Sequence, residues 1–351
     1  MNASLSRPDS VNRKPLGWRA LVAALTFCAV APIASRAQTL TTLYSFASSD
    51  GRYVEADLVQ ATDGNLYGTV AKGGPHGWGT VFKMTPAGTL TTLHDFDQTD
   101  GGYVTGTLIQ GTDGNFYGTT IEGGTTDYGT VYKITPGGTL TTLYNFCSQS
   151  RCADGKYPSA GLVQAANGNL YGTTEEGGTI GAGTVFKITP GGSLTTLYNF
   201  CSQSGCTDGA NPHGALIQAR DGNFYGTTSG EDNGYGTVFK MTSGGTLTTL
   251  YSFCSQSGCT DGEHPFPGLI QASDGNLYGT TKEGGTGGGG TVFKITLSGA
   301  LTTLYSFCAQ SGCTDGEFPE GALVQGTDGK LYGTTYQGGT ATARTAPPAV
   351  A

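Results

Sequence analysis

The sequence predicts an all-β fold built from about six repeated four-stranded antiparallel sheets. The main observation is a phrase, D-G-N-[LF]-Y-G-T-[TV], that occurs in near-copies starting at Asp63, Asp113, Asn167, Asp221, Asp274 and Asp328. Successive copies are 50 to 54 residues apart, a period that indicates an array of equivalent units, each buried against its neighbours. The second observation is that the segments between glycine-rich turns are short and rich in Thr, Val, Tyr and Phe, which favour strands.

One repeat shows how each sheet is formed. The apolar run Leu216–Ala219 is followed by Asp221-Gly222 and a second extended run that ends at Thr228. A glycine-rich loop leads to a third run, residues 236–242, and Ser243-Gly244-Gly245 turns the chain into a fourth. Asp-Gly between two extended runs predicts a hairpin, because both residues tolerate positive φ. Each unit is therefore predicted to be a meander with tight turns after its first and third strands and longer loops elsewhere.

The faces of the predicted strands decide how the units pack. In the fourth strand Leu247 and Leu250 fall on opposite faces, so the sheet needs apolar neighbours on both sides. Repeated four-stranded sheets stacked face to face around an axis form a β-propeller, which is the predicted fold. The alternative is a β-solenoid, whose coils are shorter and lack paired hairpin turns.

The count of strand patterns predicts how the ring closes. The first two strands of the unit occur six times, whereas the third occurs five times, marked by Val81, Val131, Val185, Val238 and Val292. An extra copy of the fourth-strand pattern, Thr39–Phe46, precedes all of them. We expect an incomplete last blade that is closed by this N-terminal strand, paired with the sheet of Leu323 and Leu331. After Thr340 the pattern stops, so the ring has six blades with one short, or the chain is a truncated or frameshifted product of a longer array.

The N-terminal segment has the pattern of a secretory signal. Basic residues precede an uncharged apolar run, residues 20–31, and Ser35-Arg36-Ala37 provides small residues at a cleavage site after Ala37. The alternative is a retained anchor, although the run is short for a bilayer span. We expect residues 1–37 to be removed, residues 38–340 to form one domain, and residues 341–351 to be a disordered tail.

Composition excludes one class of partner and favours an extracellular location. Residues 1–37 contain five basic residues and one acidic residue, so their removal moves the net charge from −8 to −12. Nucleic acids and anionic membranes require basic patches, and we expect neither partner. No stretch of the mature chain is predicted to span a membrane, and a monomer is expected.

Eight cysteines of the mature chain form four C-x4-C pairs. In an exported protein this spacing predicts the disulfides Cys147–Cys152, Cys201–Cys206, Cys254–Cys259 and Cys308–Cys313. Each bridge closes a six-residue ring and is expected to contribute about 2 kcal/mol by restricting the unfolded chain. The alternative is metal binding, but a zinc site needs four ligands and the repeats do not supply them. No metal site and no cofactor are therefore expected.

Candidate binding residues fall in the longer loops. In a meander the loops after the second and fourth strands lie at one end of the sheet, so they share one face of a propeller, and binding surfaces lie on such loops. Aromatic rings beside carboxylates suit sugars, which stack their C–H faces and need hydrogen-bond acceptors. The candidates, which are otherwise solvated loop residues, are Trp78, Tyr128, Tyr235, Glu122, Glu176, Glu231 and Glu283.

A second recurring group is an Asp-Gly pair at the end of the loop that precedes each unit, and this loop contains the cysteines in four of the six copies. The aspartates are Asp50, Asp100, Asp154, Asp208, Asp261 and Asp315. A ring of aspartates near the axis would hold a cation, whereas an Asp that caps a turn binds backbone N–H groups. The turn is the favoured interpretation.

The recurring phrase also resembles a known family. The pattern L-x-Q-[AG]-x-D-G-N-[LF]-Y-G-T-T, followed by G-T-V-[FY]-K-[IM]-T and L-T-T-L-[YH]-x-F, resembles the GloVer tandem-repeat family and covers about residues 39–340. The resemblance implies an exported bacterial repeat protein, often called a choice-of-anchor protein because differing surface-sorting signals follow the repeats. Residues 341–351 lack both an apolar anchor helix and a basic tail, which puts surface anchoring in doubt.

These observations predict a secreted binding or surface-interaction module, with glycans or another cell-surface component as the candidate partner. The motifs G-x-S-x-G, H-E-x-x-H and the phosphate loop do not occur, so no catalytic residue is assigned. Two alternatives remain: an extracellular polysaccharide hydrolase or lyase, and a purely structural envelope protein. An enzyme should have one asymmetric cluster of acids and histidine in the central channel, whereas a lectin-like module should have equivalent pockets in several blades.

Overall fold

The computed structural model describes residues 41–47, 50–230 and 234–339. The regular secondary structure of this part is all β-strand, joined by turns and loops, apart from single 3-10 turns at Ser150–Cys152, Ser204–Cys206, Ser257–Cys259 and Ser311–Cys313. Its strands are β1 Val59–Gln60, β2 Leu66–Val70, β3 Thr80–Met84, β4 Leu90–Asp95, β5 Ile109–Gln110, β6 Phe116–Thr120, β7 Thr130–Ile134, β8 Leu140–Asn145, β9 Val163–Gln164, β10 Leu170–Thr174, β11 Thr184–Ile188, β12 Leu194–Asn199, β13 Ile217–Gln218, β14 Phe224–Thr228, β15 Thr237–Met241, β16 Leu247–Ser252, β17 Ile270–Gln271, β18 Leu277–Thr281, β19 Thr291–Ile295, β20 Leu301–Ser306, β21 Val324–Gln325 and β22 Leu331–Tyr332.

The strands form consecutive antiparallel sheets, which confirms the predicted meander. Units 1 to 5 are the four-stranded sheets β1–β4, β5–β8, β9–β12, β13–β16 and β17–β20, and unit 6 is the two-stranded sheet β21–β22. Each four-stranded unit has one short strand, two of five residues and one of six residues. A single central cavity is lined by residues of all six units, so the array curves around an axis. The fold is a β-propeller with a partial sixth blade.

The D-G-N phrase makes the turn between the first two strands of each unit. In unit 4 the Asp221 carboxylate accepts hydrogen bonds from the Asn223 backbone N–H at 3.1 Å and from the Tyr225 hydroxyl at 2.8 Å. It also lies 3.0 Å from Nζ of Lys240 on the third strand. Burial raises the pKa of Asp221, but these hydrogen bonds outweigh it and lower the pKa to about 2. The predicted turn is confirmed, because the Asp221 carboxylate accepts hydrogen bonds from donors of its own unit.

A β-bulge explains the irregular alternation in the fourth strand. In unit 4 Val238 pairs with Tyr251 whereas Phe239 pairs with Thr249, so Leu250 is an extra residue on the fourth strand. The same register shift occurs in each of the other four-stranded units. A bulge rotates the side chains that follow it. Leu247 and Tyr251 consequently both pack against buried core residues.

Aromatic rings join each unit to the next. At the junction of units 4 and 5, Phe253 lies edge-on to Phe293 with ring centroids 5.2 Å apart. The glycine of the second strand makes room for this ring, since a Cβ on Gly279 would meet Cζ of Phe293 at 2.6 Å. The equivalent ring pairs along the chain are Phe46–Phe82, Phe96–Tyr132, Phe146–Phe186 and Phe200–Phe239. Burial of these rings between sheets is the main apolar contribution to the fold.

The N-terminal segment 42–46 takes the place of a fourth strand of unit 6. The carbonyl oxygen of Leu43 faces Gly88 of unit 1, as that of Leu93 faces Gly138 of unit 2. Phe46 packs on Phe82 with centroids 5.3 Å apart. The segment is not hydrogen-bonded as a strand to β21 or β22, and the sixth sheet contains only those two strands among the described residues. Segment 42–46 therefore lies where the fourth strand of unit 6 was expected. It does not pair directly with β22, because the third-strand position lies between them.

The four predicted cysteine pairs are disulfide-bonded in units 3 to 6. Each bridge closes the loop that contains a 3-10 turn, immediately before the buried or half-buried aspartate of that loop. The residue range that we predict as a signal peptide and the predicted tail 341–351 lie outside the described residues. In the described part, no helix is both long and apolar enough to cross a bilayer.

Candidate functional site

The loops after the second and fourth strands lie on one face of the ring, which we call the loop face. At the junction of units 1 and 2, the backbone N–H of Tyr103 donates to the carbonyl oxygen of Trp78 at 2.9 Å, and Gly102 and Glu122 form an antiparallel bridge. The cysteine loops belong to the same face, because the N–H of Gly178 donates to the carbonyl oxygen of Cys152 at 2.9 Å. The predicted grouping of the two loop types is confirmed.

One open site on the loop face is a cleft between units 1 and 2. Its cavity has a volume of about 510 Å³ and is lined by Lys72, His76, Gly77, Trp78, Tyr103 and Glu122. We call it the unit 1/2 cleft. It brings together two aromatic rings, one lysine ammonium and one carboxylate. Nζ of Lys72 lies 4.4 Å from the centroid of the Tyr103 ring. Hydrogen bonding to the Tyr103 side chain raises the pKa of Lys72.

One glycine keeps this cleft open. A Cβ on Gly102 would lie 2.8 Å from Cε3 of Trp78, so the indole rests directly on the backbone. At the equivalent position of unit 3 the chain has Lys156, whose Nζ lies 5.7 Å from the Tyr128 centroid and 2.6 Å from Oε2 of Glu176. The junction of units 2 and 3 therefore repeats the aromatic and acidic groups, but a lysine side chain of the protein occupies the space between them.

The other junctions lack one or more of these groups. Ala182 and Gly289 stand where units 1 and 2 have Trp78 and Tyr128. Tyr235 is 51% exposed, and its ring centroid lies 6.4 Å from that of His264. Glu283 bridges through its backbone to Glu263 at that same junction. Glu231 lies outside the described residues.

The predicted ligand residues thus belong to separate junctions. Trp78 and Glu122 line one cleft, Tyr128 and Glu176 share the next junction, and Tyr235 and Glu283 occupy equivalent positions further along. Sequence reasoning missed Lys72 and Tyr103. Alignment of the repeats could have identified both residues. Lys72 occupies the position that Glu122 has in the next unit, and Tyr103 occupies the position that Tyr157 has in the next unit.

A second site lies on the axis, where the chain enters the first strand of each unit. This central cavity has a volume of about 280 Å³. The six equivalent positions that line it carry five different side chains: Glu55, Thr105, Ser159, His213, Phe266 and Glu320. The residues that line the axis therefore differ between units, whereas the strand residues recur from unit to unit.

One half of the rim of the central cavity carries a continuous set of contacts. Glu175 lies 3.4 Å from Nε2 of His213, whose ring stacks on Phe266 with centroids 4.2 Å apart. Nζ of Lys282 lies 5.2 Å from the Phe266 centroid and 3.0 Å from Oε1 of Glu320. Burial, followed by the charge of Lys282, lowers the pKa of His213 to about 4. The imidazole is consequently neutral at pH 7.

The recurring aspartates of the cysteine loops are turn caps and do not form an axial ring. Asp208 is fully buried and accepts hydrogen bonds from the Tyr198 hydroxyl and from both N–H and Oγ of Ser202, each at 2.8 Å. Asp154 and Asp261 have the same set of partners. Two groups place cysteine sulfurs near a carboxylate, at Glu263 and Glu317, but those sulfurs are disulfide-bonded and offer no thiolate.

Comparison with known proteins identifies the repeat. A family model described as the Gloeobacter/Verrucomicrobia repeat matches residues 28–165 and 148–346. No curated protein matches the sequence.

Solved structures with similar folds have low sequence identity. They include a putative gluconolactonase, 13% identical, with 82% of this chain and 87% of that chain covered and a TM-score of 0.49. A putative oxidoreductase (glucose dehydrogenase) from Thermus thermophilus is 18% identical, with 82% and 92% covered and a TM-score of 0.48. A luciferin-regenerating enzyme is 14% identical, with 79% and 81% covered and a TM-score of 0.47. These values give no basis for assigning an activity.

Proposed function

The chain belongs to the Gloeobacter/Verrucomicrobia repeat family, and on this premise we propose that it is an exported module that binds carbohydrate on its loop face. The observation that supports this proposal best is the unit 1/2 cleft. It combines the half-buried rings of Trp78 and Tyr103 with the charged groups of Lys72 and Glu122 around a cavity of about 510 Å³.

Each group of the cleft has a role in this proposal. The C–H face of a sugar ring packs on Trp78, whose indole is held flat against Gly102 and so loses little freedom on binding. The carboxylate of Glu122 accepts hydrogen bonds from sugar hydroxyls, and the ammonium of Lys72 donates to ring or hydroxyl oxygens. A neutral or weakly acidic glycan fits this mixture of one cation and one anion.

A glycan array, followed by titration of the hits, tests the proposal. We expect binding of chemically related glycans, and we expect Trp78→Ala to weaken it about tenfold or more, since truncation of a central aromatic residue removes a dominant binding contact. Ile180→Ala is the matched control, because Ile180 is an exposed residue at the loop position that corresponds to His76. Binding that survives in Trp78→Ala, or is lost equally in the control, would place the ligand elsewhere.

A second candidate is an extracellular hydrolase or lyase that acts at the central cavity. The observation that favours it is an asymmetric set of charged groups: His213 and Glu320 line the cavity on the axis, and Glu175 and Lys282 pair with them. Turnover of a polysaccharide that is lost in His213→Ala and kept in Trp78→Ala would support this candidate. Silence in both assays would leave the structural envelope role.

Export is tested separately by intact-mass spectrometry on protein secreted by a bacterial host. We expect a chain that begins at Gln38 and a mass eight hydrogens below that of the reduced chain, because eight cysteines remain and all are bridged. A retained N-terminus would contradict cleavage after Ala37, and free thiols would contradict an oxidising destination.

A further inference from the structure

One of the residues that line the unit 1/2 cleft, His76, is paired with a carboxylate. Nδ1 of His76 is hydrogen-bonded to Oδ2 of Asp95, a residue at the end of β4. The His76 side chain is 59% exposed, whereas that of Asp95 is 16% exposed. His76 lines the cavity together with Lys72 and Glu122. The pair therefore presents an imidazole to the same cavity in which we propose that a glycan binds.

This pair is not needed to hold the loop. In unit 2 the backbone N–H of Thr125 donates to Oδ1 of Asn145 at 2.8 Å, and unit 3 has the same contact at 2.9 Å. Unit 1 has Pro75 at the threonine position and Asp95 at the asparagine position, and proline has no N–H to donate. The backbone N–H of His76 donates to Oδ2 of Asp95 at 3.2 Å instead, which already ties the loop to the strand. The contact of the imidazole with Asp95 is additional to that tie.

The Asp95 carboxylate is directed at His76 alone in the described part of the chain. Both of its side-chain hydrogen bonds are to His76, through the backbone N–H and Nδ1, and its Oδ1 is buried without a hydrogen-bond partner there. A carboxylate that accepts from Nδ1–H fixes the tautomer in which Nε2 has the free lone pair. It also stabilises the imidazolium that forms when Nε2 takes a proton. The pair thus has the arrangement of an oriented general base.

The other groups of the cleft decide which reaction fits this base. Glycoside hydrolysis uses two carboxyl groups that flank the scissile bond, whereas the lining of the cleft has one, that of Glu122. An ammonium beside a general base suits acyl transfer, because it stabilises the negative charge that develops on the carbonyl oxygen. Lys72 supplies that ammonium. A cavity of about 510 Å³ has room for one sugar ring with a small acyl group such as acetyl.

We propose that the unit 1/2 cleft hydrolyses an acetyl ester carried by a bound glycan, with His76 as the general base and Asp95 as the residue that positions it. This inference rests on the proposed function, since glycan binding brings the ester into the cleft. Nε2 of His76 removes a proton from a water molecule while the water oxygen bonds to the acyl carbon, and Lys72 stabilises the oxyanion. The bond between the acyl carbon and the sugar oxygen then breaks, and the sugar oxygen takes the proton from Nε2. The products are acetic acid and a free sugar hydroxyl, so the reaction consumes only water.

Release of acetate from acetylated xylan, mannan and pectin tests this inference, with binding of the same polysaccharides measured in parallel. We expect the purified chain to release acetate from at least one of them. We expect His76→Gln to lower kcat about a hundredfold or more while polysaccharide binding stays within about twofold, because the base acts only in the reaction. Imidazole added to the buffer should restore part of the activity of His76→Ala, since it can enter the space of the deleted ring.

Asp95→Asn tests the positioning role. Asparagine stands at this position in units 2 and 3, so we expect the variant to fold with an unchanged circular dichroism spectrum. We expect kcat to fall about tenfold or more at an unchanged KM, because an amide does not stabilise the imidazolium. The matched control is His94→Gln, which breaks a second histidine–aspartate pair, 2.7 Å from His94 Nε2 to Asp100 Oδ2, that does not line the cleft. We expect this control to keep full activity.

The two readouts separate this inference from the proposed function. Polysaccharide binding without acetate release would overturn the inference and leave glycan binding in place. Acetate release that survives in His76→Gln, or that is lost equally in His94→Gln, would also overturn it, because the reaction would not depend on the cleft histidine. An unchanged kcat in folded Asp95→Asn would contradict the positioning role of the carboxylate. Absence of both binding and release would contradict the inference and the proposed function together.

Discussion

Phe200→Ala should be among the most destabilising single substitutions in this chain, lowering the free energy of unfolding by about 3 to 5 kcal/mol. Phe200 is fully buried between units 3 and 4, where its ring lies 5.2 Å from that of Phe239. The substitution removes the apolar burial of a whole ring and leaves a cavity between two rigid sheets that cannot collapse into it. Chemical denaturation followed by circular dichroism measures the effect.

The same substitution at Phe307 is the matched control. Phe307 occupies the equivalent position in front of unit 6, where it is half-buried and lines a cavity of about 210 Å³. Because no third-strand ring faces it in the described part, we expect a loss of about 1 to 2 kcal/mol at most. Equal losses at the two positions would show that the junction before unit 6 is as well packed as the others.

Asp208→Ala should cost about 3 kcal/mol at pH 7, because it removes the buried carboxylate that accepts hydrogen bonds from several part-buried donors. The affected donors are the Tyr198 hydroxyl, the N–H and Oγ of Ser202 and the N–H of Gln203. Asp315→Ala is the control, with a smaller expected loss, since Asp315 is only half-buried and Ala309 replaces the serine of the cysteine loop. Thermal or denaturant unfolding of both variants measures the difference.

The contribution of Asp208 should also depend on pH in a defined direction. Burial raises the pKa of Asp208, but hydrogen bonds from Ser202, Tyr198 and the backbone outweigh it, so the folded pKa lies below the ordinary value of 3.8. A carboxyl with a lowered folded pKa stabilises the fold fully above its unfolded pKa and loses that effect as pH falls through the folded pKa. The difference between the natural chain and Asp208→Ala should therefore be constant from pH 7 to about pH 5 and shrink below pH 4. A difference that grows on acidification would contradict this sign.

Much of the fold could be predicted because each unit repeats the same local chemistry. Asp-Gly turns, short β-rich segments and the C-x4-C pairs act within a few residues of one another, so the sequence predicts them directly. The bulge at Leu250 was not predicted, because its signal in the sequence is only a broken alternation. The position of segment 42–46 was predicted. Its pairing with the sixth sheet was also predicted, but among the described residues that sheet contains only β21 and β22.

The candidate sites depend on contacts between units, and these follow from the curvature of the whole ring. Trp78 and Glu122 were selected from the sequence, but only the fold brings Lys72 and Tyr103 beside them in one cleft. His213 and Glu320 are 107 residues apart in the sequence and both line one axial cavity. The sequence by itself determined the repeating meander, its turns and its bridges, because those interactions are local. The tertiary structure decided which loops share a cleft and which side chains meet on the axis, because these contacts depend on how the units curve around the axis.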